Sequence, residues 1–181
     1  SCVALAAYDA DAHETDCECV PFPEPGIPGA PVAVPSIVAV KNGEVAIGHA
    51  AKRLIGRKGY TPMRDVFRES KNDIGLRYRY WKAPEGFQSA SEIASHLLHY
   101  LLAPLVNELA DEEVPLVITV PASFHGAQRN ATLEAAYTIL GDDARVTLLD
   151  EPYAAFLDLL FQQPEVLNQL PDSANILVFD F

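Results

Sequence analysis

At 181 residues, about half of them apolar, the chain is long enough to bury a real core as one large domain or two small lobes. Its net charge of −12 argues against nucleic acid or an anionic membrane as partner, since either asks for a basic face. No apolar run approaches the ~20 residues that span a bilayer, and three cysteines make no disulfide framework, so a cytoplasmic location is expected.

Residues 1–8 and 17–22 read as strands joined by an acidic turn over 9–16. Pro21, Pro23, Pro25, Pro28, Pro31 and Pro35 crowd the next stretch too densely for a sheet interior, which predicts an extended surface loop rather than a polyproline ligand. Segments 37–40 and 45–48 predict a hairpin turned at Asn42-Gly43. Short helices are expected over 49–57 and 63–71. Residues 77–81 alternate basic and aromatic side chains; in so acidic a chain this reads as an exposed strand, not a nucleic-acid contact. Ser89 and Glu92 form a capping box that opens the longest helix, 90–110. Ile93, Leu97, Leu101, Leu105 and Leu109 make its buried face, and Pro104 must kink or break it.

The β-branched run 117–120, closed by Pro121, predicts a buried strand. A helix with Ala127, Ala131, Ala135 and Ile139 on one face then stops at Gly141. A second apolar run, 146–149, meets Asp150-Glu151-Pro152, where Pro152 suits the first turn of another helix. Strand, helix, strand, helix with short joints describes a right-handed parallel crossover. Ligands of such sheets sit beyond the carboxyl ends of the strands, where Pro121 and Glu151 fall. A carboxylate there can order a water or a hydrated metal, or can simply be a charge favoured by the helix dipole. His96 with His99, and His13 with Cys17 and Cys19, lack the four spaced ligands of a zinc site, so no direct metal ligation is expected.

The spelling of 117–155, V-P-A-x-F-x-x-x-Q-R-x-A-T followed by E-P-x-A-A, resembles the nucleotide-binding domain of the seventy-kilodalton heat-shock (DnaK-like) chaperones, within the actin-like ATPase superfamily. The likeness continues in Val34-Pro35-Ser36-Ile37-Val38-Ala39, in Gly48-His49-Ala50-Ala51-Lys52, in Ile176-Leu177-Val178-Phe179-Asp180-Phe181, and in the first four residues. It implies an α/β fold: a ribonuclease-H-like lobe with a mixed sheet flanked by helices over 1–32 and 113–181, its first strand missing. Residues 33–112 would be a smaller inserted α+β subdomain.

By the same resemblance, the complete domain uses ATP and Mg²⁺, with Glu151 and Asp180 acting on the metal through water. Lys71 would bring positive charge to the phosphate. One extra residue after Phe67, relative to the family, would turn its side chain by about 100° on a helix, and Lys52 is the rival lysine. Pro121 and Arg129 would relay nucleotide state to an attached peptide-binding domain, and peptide substrates and co-chaperones are the implied partners. Asp150 stands where the family usually has asparagine, and Tyr153 where it has threonine, which puts the rate in question.

Both ends read as interior positions of a longer chain. Without the glycine-rich phosphate turns the piece itself is expected to be inactive. Residues 176–181 are expected to fill the place of the lost first strand, within the chain or by exchange between two copies. Two alternatives stay open: a chaperone-like scaffold with a decayed ATP site, and another actin-like enzyme such as a sugar kinase.

Overall fold

A computed structural model describes residues 1–105, 114–171 and 173–178. Strands β1 (Ala4–Asp9) and β2 (Glu14–Cys19) form an antiparallel hairpin in which Ala4 faces Cys19 and Asp9 faces Glu14. The turn is tighter than the expected 9–16. The Asp9 carboxylate accepts from the N–H groups of Asp11 (2.9 Å) and Ala12 (3.0 Å), and His13 takes a positive φ of 54°. Strand β2 therefore starts three residues before the predicted 17–22. Beyond the hairpin, Val20, Phe22 and Val34 pack with Leu101 and Leu105, so the proline-rich stretch is anchored at both ends.

Strands β3 (Ile37–Lys41), β4 (Glu44–Ile47) and β5 (Val66–Arg68) make an antiparallel sheet of order β4-β3-β5. Asn42 and Gly43 carry the two positive φ values (52° and 82°) that the expected hairpin turn requires. Helix α1 (His49–Lys52) is one turn long, shorter than 49–57, and Gly56 at φ 73° lies on a left-handed turn beyond it. The predicted helix over 63–71 does not form. Met63 and Glu69 both sit in the left-handed region (φ 61° and 59°), which helix geometry forbids. Between them Val66 and Phe67 are buried as a strand against β3, and a 3-10 turn (Ser70–Asp73) follows.

Asp65 fixes this bend. It accepts from Thr61 N–H (2.8 Å) and from Arg64, whose terminal nitrogen lies 2.7 Å away. Hydrogen bonding from Arg64 holds the Asp65 carboxyl below its usual range. A carboxylate depressed in the folded state stabilises it fully above the unfolded pKa of about 4, and the contribution is lost as pH falls through the lower folded value. Asp65→Asn should thus lower the urea midpoint at neutral pH, and the deficit against the parent should shrink as pH drops from 5 towards 3. A deficit independent of pH would rule out the ionic part of this role.

Helix α2 (Ala90–Leu102) opens on the predicted box. Ser89 Oγ accepts from Glu92 N–H (3.2 Å), and Glu92 accepts from the N–H groups of Ser89 (2.8 Å) and Gln88 (2.6 Å). It ends at Leu102 rather than 110. Pro104 supplies no N–H to continue the ladder, and Ala103–Leu105 tighten into a 3-10 turn; Leu109 lies outside the described residues. The face of Ile93 closes a core with Val38, Val40, Phe67, Tyr80 and Phe87. Tyr80 is buried, and its hydroxyl donates to Asp73 (2.9 Å). Burial first, then the bond to that carboxylate, pushes its phenol well above the ordinary range. Residues 77–81, expected as a strand, form none: Arg77 lies at a bend, Trp81 lies in a turn in which the Tyr80 carbonyl accepts from Ala83 N–H (2.8 Å), and no ladder partner stands among the described residues.

Strands β6 (Leu116–Val120) and β7 (Val146–Asp150) pair in parallel across helix α3 (Gly126–Leu140), with Val120 opposite Asp150. Ala131, Thr132, Ala135 and Ala136 bury one side of α3, small enough for Ser95 of α2 to donate to the Ala135 carbonyl (3.2 Å). Only Val120 of β6 is fully buried. Val117 and Thr119 face outward, a correction to the expected buried strand. Helix α4 (Glu151–Gln162) begins directly after β7 with Pro152 in its first turn and buries none of its residues; α5 (Glu165–Gln169) follows. Residues 176–178 lie in no strand, so within the chain they do not fill the first-strand place, and 179–181 fall outside the described residues. The described strands form three separate sheets in a mixed α/β chain.

Candidate functional site

The C-terminal ends of β6 and β7 lie side by side, and each hands the chain to a helix. After Val120, Pro121 begins a turn in which its carbonyl accepts from Phe124 N–H (2.9 Å), and α3 starts at Gly126. After Asp150, Glu151 is the first residue of α4. A carboxylate at that position faces the partial positive end of the helix and the open tips of the strands.

Lys71 comes to the same place from eighty residues away. Its 3-10 turn follows the left-handed Glu69, so the extra residue that would have misdirected a helical lysine is absorbed by that kink. Two residues then dock the turn. Ile74 is buried among Ala90, Val120, Phe124 and Ala131, joining α2, the tip of β6 and α3. Gly75, at φ 72°, lies so close to the start of α3 that a Cβ would stand 2.6 Å from Gln128 Cα and 2.7 Å from the Ala127 carbonyl carbon. Lys71 Nζ meets Glu151 Oε1 in an ion pair. Their side chains are 51% and 31% exposed, so the pair contributes at most about 1 kcal/mol and opens readily for a competing charged ligand.

A second pair stands beside it. Arg129 of α3 reaches the Asp150 carboxylate through its terminal nitrogen, while Nε donates to the Phe124 carbonyl (3.0 Å). Two cations and two carboxylates thus neutralise one another at the strand tips. Of the residues expected at the site, Lys71, Glu151, Pro121 and Arg129 converge here. Lys52 ends α1, exposed, with no hydrogen bond or ion pair to Glu151. Asp180 lies outside the described residues. Sequence reasoning gives neither the close packing of Gly75 on α3 nor the Asp73–Tyr80 bond. The Ile74-Gly75 pair after a lysine was the available signal for the first, and nothing local marks the second. Among the described residues, no group of three or more His, Cys, Asp or Glu is placed to hold a metal. His96 instead stacks on Phe87, ring centroids 4.1 Å apart.

A family model described as Hsp70 protein matches residues 61–181. The chain is 35% identical over 154 residues to the chaperone protein DnaK of Metamycoplasma hominis, covering 84% of this chain and 24% of that protein. It is 37% identical over 152 residues to the chaperone protein DnaK of Akkermansia muciniphila, covering 68% and 22%. Against the chaperone protein HscA homolog of Methylobacillus flagellatus it is 35% identical over 141 residues, covering 67% and 22%. The chain spans about a quarter of the length of these curated relatives.

Proposed function

The chain belongs to the Hsp70 protein family, and we therefore propose that it supplies one wall of the nucleotide site in an ATP-hydrolysing chaperone domain. The observation that carries this reading is the meeting of Lys71 and Glu151 at the tip of β7. Phosphoryl transfer needs positioned charge rather than covalent help from the protein, and an ammonium beside a carboxylate at parallel strand ends is that kind of charge. The donor chemistry fits hydrated magnesium and phosphate: Glu151 would accept hydrogen bonds from metal-bound water, and Lys71 would donate to a phosphate oxygen. Magnesium, when bound, neutralises phosphate charge and acidifies its waters. Binding would exchange the Lys71–Glu151 pair for these ligand contacts. By family resemblance, Asp180 would be the second carboxylate to act through the metal's water.

The further assignments follow the family. Residues 1–32 and 113–181 form the ribonuclease-H-like lobe and 33–112 its insertion. Pro121 and Arg129 relay nucleotide state to a peptide-binding domain; peptides and co-chaperones are the partners, and the location is the cytoplasm. No helix among the described residues is long and apolar enough to cross a membrane. A scaffold with a decayed site is the rival reading, motivated by Asp150. Arg129 neutralises that extra charge, which favours an active site over a decayed one. Family membership sets the sugar-kinase alternative aside.

None of the ten glycines adjoins another, so this 181-residue polypeptide offers no paired-glycine turn for a triphosphate and should release no phosphate from ATP by itself. The full-length protein, given ATP and Mg²⁺, should release it steadily. Absence of turnover in the full-length protein would establish the decayed scaffold instead.

A further inference from the structure

The chain holds three cysteines, and all three are free and exposed. Their placement follows from the register of the β1–β2 hairpin. Side chains alternate between the two faces of a strand, and Cys17 lies opposite Ala6 while Cys19 lies opposite Ala4. Cys17 and Cys19 therefore share one face, two residues apart. The Val20 N–H donates to the Val3 carbonyl (2.8 Å), which carries the pairing one step past β1. Val3 packs towards the core with Val20, so its neighbour Cys2 joins the face of Ala4, diagonal to Cys19.

Every cysteine of the chain thus stands on a single face of one hairpin. The residues that share it, Ala4, Ala6, Tyr8 and Thr15, carry no charge. Glu14, Asp16 and Glu18 fall on the opposite face, where their field favours a cation without placing a carboxylate among the thiols.

Spacing decides what these thiols can do. Residues two apart on a strand are separated by about 7 Å, twice a rise of about 3.4 Å. A disulfide needs Cβ atoms about 3.5–4.5 Å apart, so neither Cys17–Cys19 nor the diagonal Cys2–Cys19 closes one without moving the backbone. A metal ion spans what a disulfide does not. Bonds of about 2.3 Å to thiolate hold two sulfurs about 4.5 Å apart across a linear ion, and strand side chains leaning towards each other close that gap. Thiolates select copper(I), zinc or iron–sulfur clusters. Zinc in structural sites takes four ligands and the clusters take four cysteines, whereas among the described residues no three candidate ligands are gathered. The ligand count that excludes zinc does not exclude copper(I), which binds two thiolates in line.

We propose that Cys17 and Cys19 form a two-coordinate copper(I) site on the exposed face of the hairpin. Both thiols give up their protons as the ion enters. One copper(I) ion and two S–H groups become an S–Cu–S unit with a single net negative charge, two protons are released, and copper keeps its oxidation state. The site shares no residue with the Lys71–Glu151 pair and does not rest on the nucleotide reading.

The full-length protein, fully reduced and kept free of oxygen, is titrated with copper(I) against a coloured copper(I) chelator. The parent should retain one copper more than Cys17→Ser or Cys19→Ser. Each of these variants should bind at this site about 100-fold more weakly or worse, the usual loss when one of two linked contacts is removed. Cys2→Ser should leave the affinity unchanged, and zinc offered in place of copper should not be retained here. Unaltered urea midpoints show that these exposed substitutions leave the fold intact. Equal copper retention by the parent and both strand variants overturns the proposal. An equal loss in Cys2→Ser overturns it too, and assigns the metal to a site that includes the diagonal thiol. Zinc held as tightly as copper, or copper held only between two copies and seen as a doubled mass in sedimentation, likewise overturns the two-thiolate site.

Discussion

Replacing Lys71 by Met, or Glu151 by Gln, in the full-length protein should lower ATP turnover by roughly 10²–10³-fold, the usual loss when one preorganised electrostatic group is removed. Both side chains are partly exposed and their ion pair adds at most about 1 kcal/mol to stability, so neither change should move the urea midpoint appreciably. A loss of activity in a fully folded protein then reports on the site itself. If the two groups act as a unit, the double variant falls little below the worse single one, because removing either already dismantles the arrangement. Phosphate release under saturating ATP, read beside the unfolding midpoint, makes the comparison. Unchanged turnover in Glu151→Gln would remove the carboxylate from the mechanism.

A larger effect on folding belongs to Gly75. Its φ of 72° disfavours any side chain, and a Cβ would stand 2.6 Å from backbone atoms of Gln128. Backbone cannot rotate aside as a side-chain tip can, so the 3-10 turn or the start of α3 must shift. Left-handed strain and overpacking together suggest a loss of about 3 kcal/mol for Gly75→Ala. Gly86 is the control: its φ is similar at 79°, but a Cβ there meets nothing within 4 Å. Gly86→Ala should therefore cost about 1 kcal/mol, from backbone conformation alone. Equal losses at the two positions would mean that the close approach to α3 carries no weight. In the full-length protein Gly75→Ala should also impair turnover, because Lys71 rides on the turn that Gly75 docks.

Much of the fold was legible where a local rule and the tertiary environment agree. Ser89 and Glu92 satisfy each other's backbone wherever the helix packs, so the start of α2 was readable. The run into Pro121, the stop at Gly141 and Pro152 in the first turn of α4 were readable for the same reason. The misread stretch over 63–71 shows the limit. Its composition permits a helix, but the left-handed bends at Met63 and Glu69 and the burial of Val66 and Phe67 against β3 turn it into a strand and a kink. Residues 77–81 have a strand's alternation, which specifies faces but not a partner. The site divided in the same way. Glu151 was placed by its position after a strand, whereas Lys71 was found only through family spelling. What brings it to Glu151 is the docking of Ile74 and Gly75, a contact between distant segments that no periodicity encodes.

Helix α4, which starts with Glu151 and buries none of its residues, has a consequence for motion. Cooperative units with few buried contacts open at the lowest free energy, long before the core around Phe67 and Ile93 gives way. The amide protons of α4 should therefore exchange with solvent ahead of those in α2. Glu151 is the first residue of that loosely held helix and follows β7 directly, so a partner that holds the helix from outside would also steady the end that carries the site's carboxylate.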